Sequence, residues 1–189
     1  MNSTPANRNV MAKKSVYGAA PETTPEAAQT LSILVDNTPG VLAKIVGLFS
    51  GRGYNIESLT VAETDHDQNL SRITIIAKGT QRIIDQIISQ LDKQVPVHNV
   101  IDLTILGPHV ARELALIKVS GQGEKRVEAM RTAEIFRAKV VDTTIDSLTF
   151  EATGTPEKID ALVEMMQPLG LSQISRTGIA ALPRGNGKI

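Results

Sequence analysis

Cysteine is absent from this 189-residue chain, which excludes disulfides, thiol nucleophiles and cysteine metal sites and fits a reducing cytoplasm. Tryptophan is also missing and aromatics make up only 3% of residues, so the core must be built from Ile, Leu, Val and Ala. A sheet that stacks RNA bases on exposed aromatics is excluded on the same ground. The formal net charge is zero, which leaves no electrostatic footprint for nucleic acid or an anionic membrane surface. No apolar run approaches the roughly 20 residues that a transmembrane helix needs. What remains is an ordinary globular composition, 41% hydrophobic and 21% charged, long enough for one medium domain or two small ones.

Residues 1–28 are rich in Ser, Thr, Asn, Pro and Ala without a sustained apolar period, and are expected to form a disordered tail. Arg8, Lys13 and Lys14 precede any acid, as in a mitochondrial transit peptide, but the arginine-rich amphipathic pattern is missing. Order is expected from Thr30. Leu31, Ile33 and Val35 alternate with Ser32 and Leu34 as a strand, and an Asn37-Thr38-Pro39-Gly40 turn follows. Val41, Leu42, Ile45, Val46, Leu48 and Phe49 then share a helical face, with Thr38 suited to the N-cap and Pro39 to the first helical position. Gly53 stops that helix. Two strands, 56–63 and 70–78, flank the polar loop TDHDQN; Thr80 caps a helix striped by Ile83, Ile84, Ile87, Ile88 and Leu91; and 95–105 reads as a fourth strand. The order is βαββαβ, a ferredoxin-like unit over residues 29–106.

Gly107-Pro108 marks a boundary, after which the same order returns more faintly over residues 107–183. A strand at 113–120 precedes a helix at 124–137 carrying Val127, Met130 and Phe136, then strands at 139–145 and 147–153. Thr155 and Pro156 open a helix with Ile159, Leu162, Val163 and Met166 inward, Gly170 ends it, and 171–182 closes the unit. The fold class is therefore α+β, with two ferredoxin-like units, the second degenerate.

No catalytic set emerges. His66, His98 and His109 are scattered, and Asp65, His66 and Asp67 read as a solvated hairpin loop before a metal site. Neither a nucleophile elbow nor a Walker-type phosphate loop is present. Gly121-Gln122-Gly123 before a helix suits an anion and a plain turn equally.

The turn before the first helix is different. It leaves helix N–H groups without partners, and those donors with the helix dipole favour a carboxylate or phosphate. Pro39 has no donor, so the seat centres on Gly40, Val41 and Leu42, with Gly40 leaving room for close approach. Asn37 offers a donor and an acceptor beside it, and Val35, Val41 and Leu42 are candidates for an apolar wall. A free amino acid needs all of these; a tight capped turn that binds nothing is the plainer alternative.

The stretch DNTPGVLAKIVGLFSGRGYNIESLTV, residues 36–61, resembles the first half of the ACT domain, most closely that of the small regulatory subunit of acetolactate synthase. The most specific piece is GLFSGRGYNIESLTV, and the resemblance runs from Leu31 to Ile105 and resumes weakly in the second unit. It implies a chain with no catalytic site of its own. Such a chain stimulates a catalytic large subunit that holds thiamine diphosphate, magnesium and FAD, and confers feedback inhibition by valine or a related branched-chain amino acid. It also implies a homodimer paired through the second strands, with Asn37 and Gly40 of one chain and Asn55 of the facing chain on the effector. The alternative is a free-standing ACT-type amino-acid sensor. A second unit of this length favours the subunit, which needs surface for its partner; a ferredoxin-like enzyme or RNA binder has neither a catalytic set nor stacking aromatics.

Overall fold

The structure is a computed structural model that describes residues 26–65 and 67–186. The expected tail lies outside the described residues as far as residue 25, and its last two positions belong to the fold, since β1 (Ala27–Asp36) starts by pairing Ala27 with Gly79. His66 of the hairpin loop also lies outside the described residues. β1 is followed by α1 (Val41–Ser50), β2 (Ile56–Asp65), β3 (Leu70–Gly79), α2 (Gln81–Leu91) and β4 (Val97–Asp102). The four strands form an antiparallel sheet in the order β2-β3-β1-β4.

Alternation along β1 and β3 sends Leu31, Ile33, Val35, Ile73, Ile75 and Ala77 to one face, where all are buried. Val41, Ile45 and Phe49, spaced by four on α1, and Ile84, Ile87 and Leu91 on α2 close that face. Aliphatic side chains dominate this core, as the shortage of aromatics requires; Phe49 packs edge-on against Tyr54.

Two local expectations change here. Helix α1 starts two residues later than predicted: Gly40, at φ 86°, is its N-cap, and Thr38 and Pro39 lie in the preceding turn. Only a residue free to adopt positive φ can turn the chain so sharply into the helix. The fourth strand stops at Asp102, whose side chain accepts from the N–H groups of Thr104 (2.8 Å) and Ile105 (3.3 Å) and caps a single helical turn, α3 (Leu103–Leu106). An Asp at that point competes with the sheet for backbone donors, which is why the apolar run 103–106 does not extend the strand.

The second unit runs β5 (His109–Ser120), α4 (Glu124–Ile135), β6 (Lys139–Thr143), β7 (Ser147–Gly154), α5 (Pro156–Met166), a 3-10 turn at Gln167–Leu169, β8 (Leu171–Arg176) and β9 (Ala180–Pro183). Its sheet order is β6-β7-β5-β8, with β9 pairing the first four residues of β5. The predicted closing segment 171–182 is thus two strands interrupted at Thr177–Ile179, and its end is tied down where the Arg184 N–H donates to Pro108 O at 3.0 Å. Thr155 accepts from the Lys158 N–H, and Ile159, Leu162 and Met166 are buried as expected. On α4 the buried residues are Ala129, Thr132 and Ala133, while Val127 and Met130 are exposed. Small side chains let this helix sit close to the sheet, so choosing the large apolar residues picked the wrong face.

The units share a seam. β9 lies over the outer face of the first sheet, where Leu103, Ile179 and Ala181 are buried together and pack against Ile76, Ile101 and Ala111. The Ile179 N–H donates to Ser58 Oγ (3.3 Å) and Thr60 Oγ1 donates to Thr177 O (3.3 Å).

Candidate functional site

The turn sits where β1 ends and α1 begins. Its backbone is held from two sides: Asn37 N–H donates to Asn69 O (2.7 Å), and Asp36 N–H to Pro96 O (2.9 Å). Asn69, itself at φ 53°, returns a side-chain bond from Nδ2 to Asn37 O at 3.2 Å. Asp36 Oδ1 meets His98 Nε2 at 2.6 Å. Asn69 and His98 were not singled out from the sequence; an Asn closing a polar hairpin loop carries a signal for positive φ, whereas nothing in sequence links His98 to a residue 62 positions away.

At the helix mouth, Val41 N–H reaches Thr38 O at 3.3 Å, so one of the three predicted donors is already engaged. The N–H groups of Gly40 and Leu42 have no acceptor among the described residues. A Cβ built on Gly40 meets nothing within 4 Å, so the backbone of the turn is open to close approach there. Asn37 is exposed beside it. Of the predicted apolar wall, Val35 (1% exposed) and Val41 (5%) are committed to the core between sheet and helices, which leaves Leu42, 40% exposed, as the one apolar group at the mouth. That wall is therefore thinner than expected within one chain.

Asn55 lies at the other end of the sheet. From Leu70, opposite Asp36, to Ala77, opposite Ile56, is seven steps of β3, roughly 23 Å at about 3.3 Å each. Asn55 and the turn of the same chain do not come together.

A second polar cluster binds the C-terminal unit internally. Glu113 on β5 is buried and makes a two-pronged contact with Arg176 on β8, through Nε (3.1 Å) and Nη2, while Arg176 Nη1 donates to Asp160 Oδ1 at 2.6 Å. The hydrogen bond that Arg176 donates to Glu113 holds the guanidinium above its ordinary arginine value against the opposing effect of burial, with Asp160 adding to it. The charges satisfy one another, so this cluster stitches β5, β8 and α5 rather than offering a free reactive group. Among the described residues no group of three or more His, Asp or Glu is placed to hold a metal ion, and no helix is long and apolar enough to cross a membrane.

Sheet order, crossing helices and the glycine turn make the first unit an ACT-type domain, followed by a second ferredoxin-like unit. Residues 31–102 match the AHAS small subunit-like ACT domain, and residues 112–185 match the small subunit of acetolactate synthase. The chain belongs to the acetolactate synthase small-subunit family. It is 44% identical over 159 residues to the probable acetolactate synthase small subunit of Archaeoglobus fulgidus, covering 84% of this chain and 98% of that protein. With the isozyme 3 small subunit of Escherichia coli it shares 43% over 157 residues, covering 82% and 95%. The crystal structure of the acetolactate synthase small subunit from Thermotoga maritima superposes with a TM-score of 0.78 at 38% identity, covering 85% of this chain and 99% of that one.

Proposed function

We propose that this chain is the regulatory subunit of acetolactate synthase: it binds and stimulates the catalytic large subunit and makes it sensitive to feedback inhibition by valine or a related branched-chain amino acid. Chemistry and cofactors, thiamine diphosphate, magnesium and FAD, belong to the large subunit. The reading is carried by the open helix mouth at Gly40, in a chain of this family. Free N–H groups and the α1 dipole receive the effector's carboxylate. Asn37 bonds its ammonium, and Leu42 lies against its side chain.

The missing half of the pocket comes from a second copy. β2 is an edge strand whose mid-length falls near Thr60 and Val61. Antiparallel pairing about that point brings the partner subunit's Asn55 alongside the end of β2, next to the turn. Dimerisation then covers the edge and completes the pocket in one step. Effector binding across this interface changes how the two copies sit, and the large subunit responds to that change. A free-standing sensor is the poorer reading, because the relatives that match both units are named as subunits of one enzyme.

Reconstitution with the large subunit tests this. The chain should raise acetolactate production and impose valine inhibition. Gly40→Asp should still raise activity while valine no longer inhibits. Undiminished valine inhibition in that complex would place the effector elsewhere.

A further inference from the structure

The seam between the units contains a second cleft, on the face of the first sheet opposite to the one that α1 covers. It has a volume of about 370 Å³ and opens between the outer face of the first sheet and the β5–β9 pair. Cross-strand register explains its floor: Arg72 on β3 stands between Ala62 on β2 and Leu34 on β1, one rung from Thr74 beside Thr60. Its roof is apolar, with Val110, Ala181 and Leu182.

Arg72 is the anomaly. Its Nε is buried without a hydrogen-bond partner among the described residues, while the side chain as a whole is half-buried and reaches the cleft. A buried donor left without an acceptor opposes folding, so such a group asks for an explanation. Arg112 lines the same cleft and donates once, from Nη1 to Ala111 O at 2.7 Å. Among the described residues no Asp, Glu, Asn or Gln lines it; the remaining polar side chains there are threonine hydroxyls.

We propose that this cleft binds an aliphatic monocarboxylate that lacks an amino group, with Arg72 as the partner of the carboxylate. An anion supplies the acceptor that Arg72 is missing, and a guanidinium fork suits a carboxylate in two-pronged geometry. The alanine, valine and leucine side chains take an aliphatic tail of a few carbons. An amino acid is disfavoured because its ammonium would lie beside two arginines, with no carboxylate among the described lining residues to pair it. The cleft therefore discriminates in the opposite sense to the helix mouth: one site reads the amino acid, the other its amino-free counterpart, a 2-oxo acid. Because the cleft is built from both units, occupancy bears on how they are held together.

Ketoisocaproate is the probe, with leucine as its amino-bearing counterpart. In isotope-labelled full-length protein the Arg72 Nε–H resonance, assigned by its loss in Arg72→Lys, should shift saturably with ketoisocaproate in the low millimolar range or below. Leucine should leave that resonance in place, whatever it does at the helix mouth. Leu182→Asp puts a competing carboxylate at the rim, and since Leu182 is 56% exposed the fold should tolerate it; affinity for ketoisocaproate should fall tenfold or more. The proposal is overturned if the Arg72 signal does not move up to tens of millimolar ketoisocaproate, if leucine moves it equally, or if Leu182→Asp binds unchanged. Because Arg72 itself is observed, the result is independent of the effector site at Gly40.

Discussion

Gly40 and Gly170 both have positive φ, yet they carry different risks. Gly40, at φ 86°, faces open space, so a side chain there is resisted by backbone strain alone, about 1–2 kcal/mol. Asp is among the residues that tolerate this region, and an acid at a helix N-terminus gains from the dipole. Gly40→Asp should therefore fold with a modest loss of stability, while its carboxylate occupies the effector's seat. Like charges about 4 Å apart repel by roughly 1 kcal/mol in water and by several in a drier cleft. Together with steric exclusion, valine affinity should fall by about two orders of magnitude, measured by isothermal titration; a loss of less than tenfold would contradict this seat. Asn37→Ala should show a weaker form of the same loss. Gly170, at φ 105°, is closed in: an added Cβ would lie 2.2 Å from Ser120 O, whose residue also donates its N–H to Gly170 O at 2.8 Å. Gly170→Ala should destabilise by more than about 2 kcal/mol, visible as a lowered midpoint in urea, because backbone must move to relieve it. Equal midpoints for Gly40→Ala and Gly170→Ala would refute the distinction.

Elements follow from the sequence wherever one face decides them. The alternation in β1 and β3 and the stripes on α1, α2 and α5 each name residues that the fold buries, because burial on a single face leaves one period and one register. The turn was readable for a similar reason: Asn-Thr-Pro-Gly before an apolar helix admits few backbone paths. What escaped was decided by other elements. Val35 and Val41 do not wall the effector seat, because the sheet and helices on either side of them enclose both in the core. Val127 and Met130 were misassigned because the neighbouring sheet accepts only small side chains. Asp102 ends β4 through a cap that propensity ranks below the apolar run after it. Edge strand β2 cannot be explained by the single chain, and it carries the next prediction. Sedimentation should show a dimer at micromolar concentration. Val61 is 42% exposed at mid-strand, so Val61→Lys would bring two like charges together near the two-fold axis. That variant should shift toward monomer and lose valine binding in parallel. A monomer that still binds valine with full affinity would mean that the partner subunit's Asn55 plays no part.

For the molecule as a whole, the two units look separable in sequence, and on that view the first should stand alone when cut at residue 107, with its own core and its own turn. The seam argues otherwise. Inside the sheet-and-helix core the first unit is self-sufficient, with twelve buried residues that all come from 31–91. Its outer face is not. Leu103 and Ser32 are fully buried, Thr30 and Thr74 nearly so, and Ile179 with Ala181 of β9 lies over that side. Removing 107–189 would return Leu103, Ile76 and Ile101 to water, where each fully exposed aliphatic side chain is worth about 1.5–3 kcal/mol; the last two are only partly covered, so the sum is about 3 kcal/mol. For a domain of this size about 1 kcal/mol moves the melting midpoint by 4–8 °C, which gives a fall of roughly 10–25 °C relative to the full chain. The truncated domain should nevertheless bind valine as a dimer at low temperature, since neither the turn nor β2 is removed. Replacing Ile76 and Ile101 by threonine in the truncated form should recover solubility without restoring the midpoint, as it removes the uncovered apolar surface but not the loss of burial. Calorimetry of the full chain, the cut domain and the threonine variant separates these effects. An unchanged midpoint after the cut would show that the second unit merely rests on the first sheet, and the cleft around Arg72 would then lack the firm roof that its proposed ligand requires.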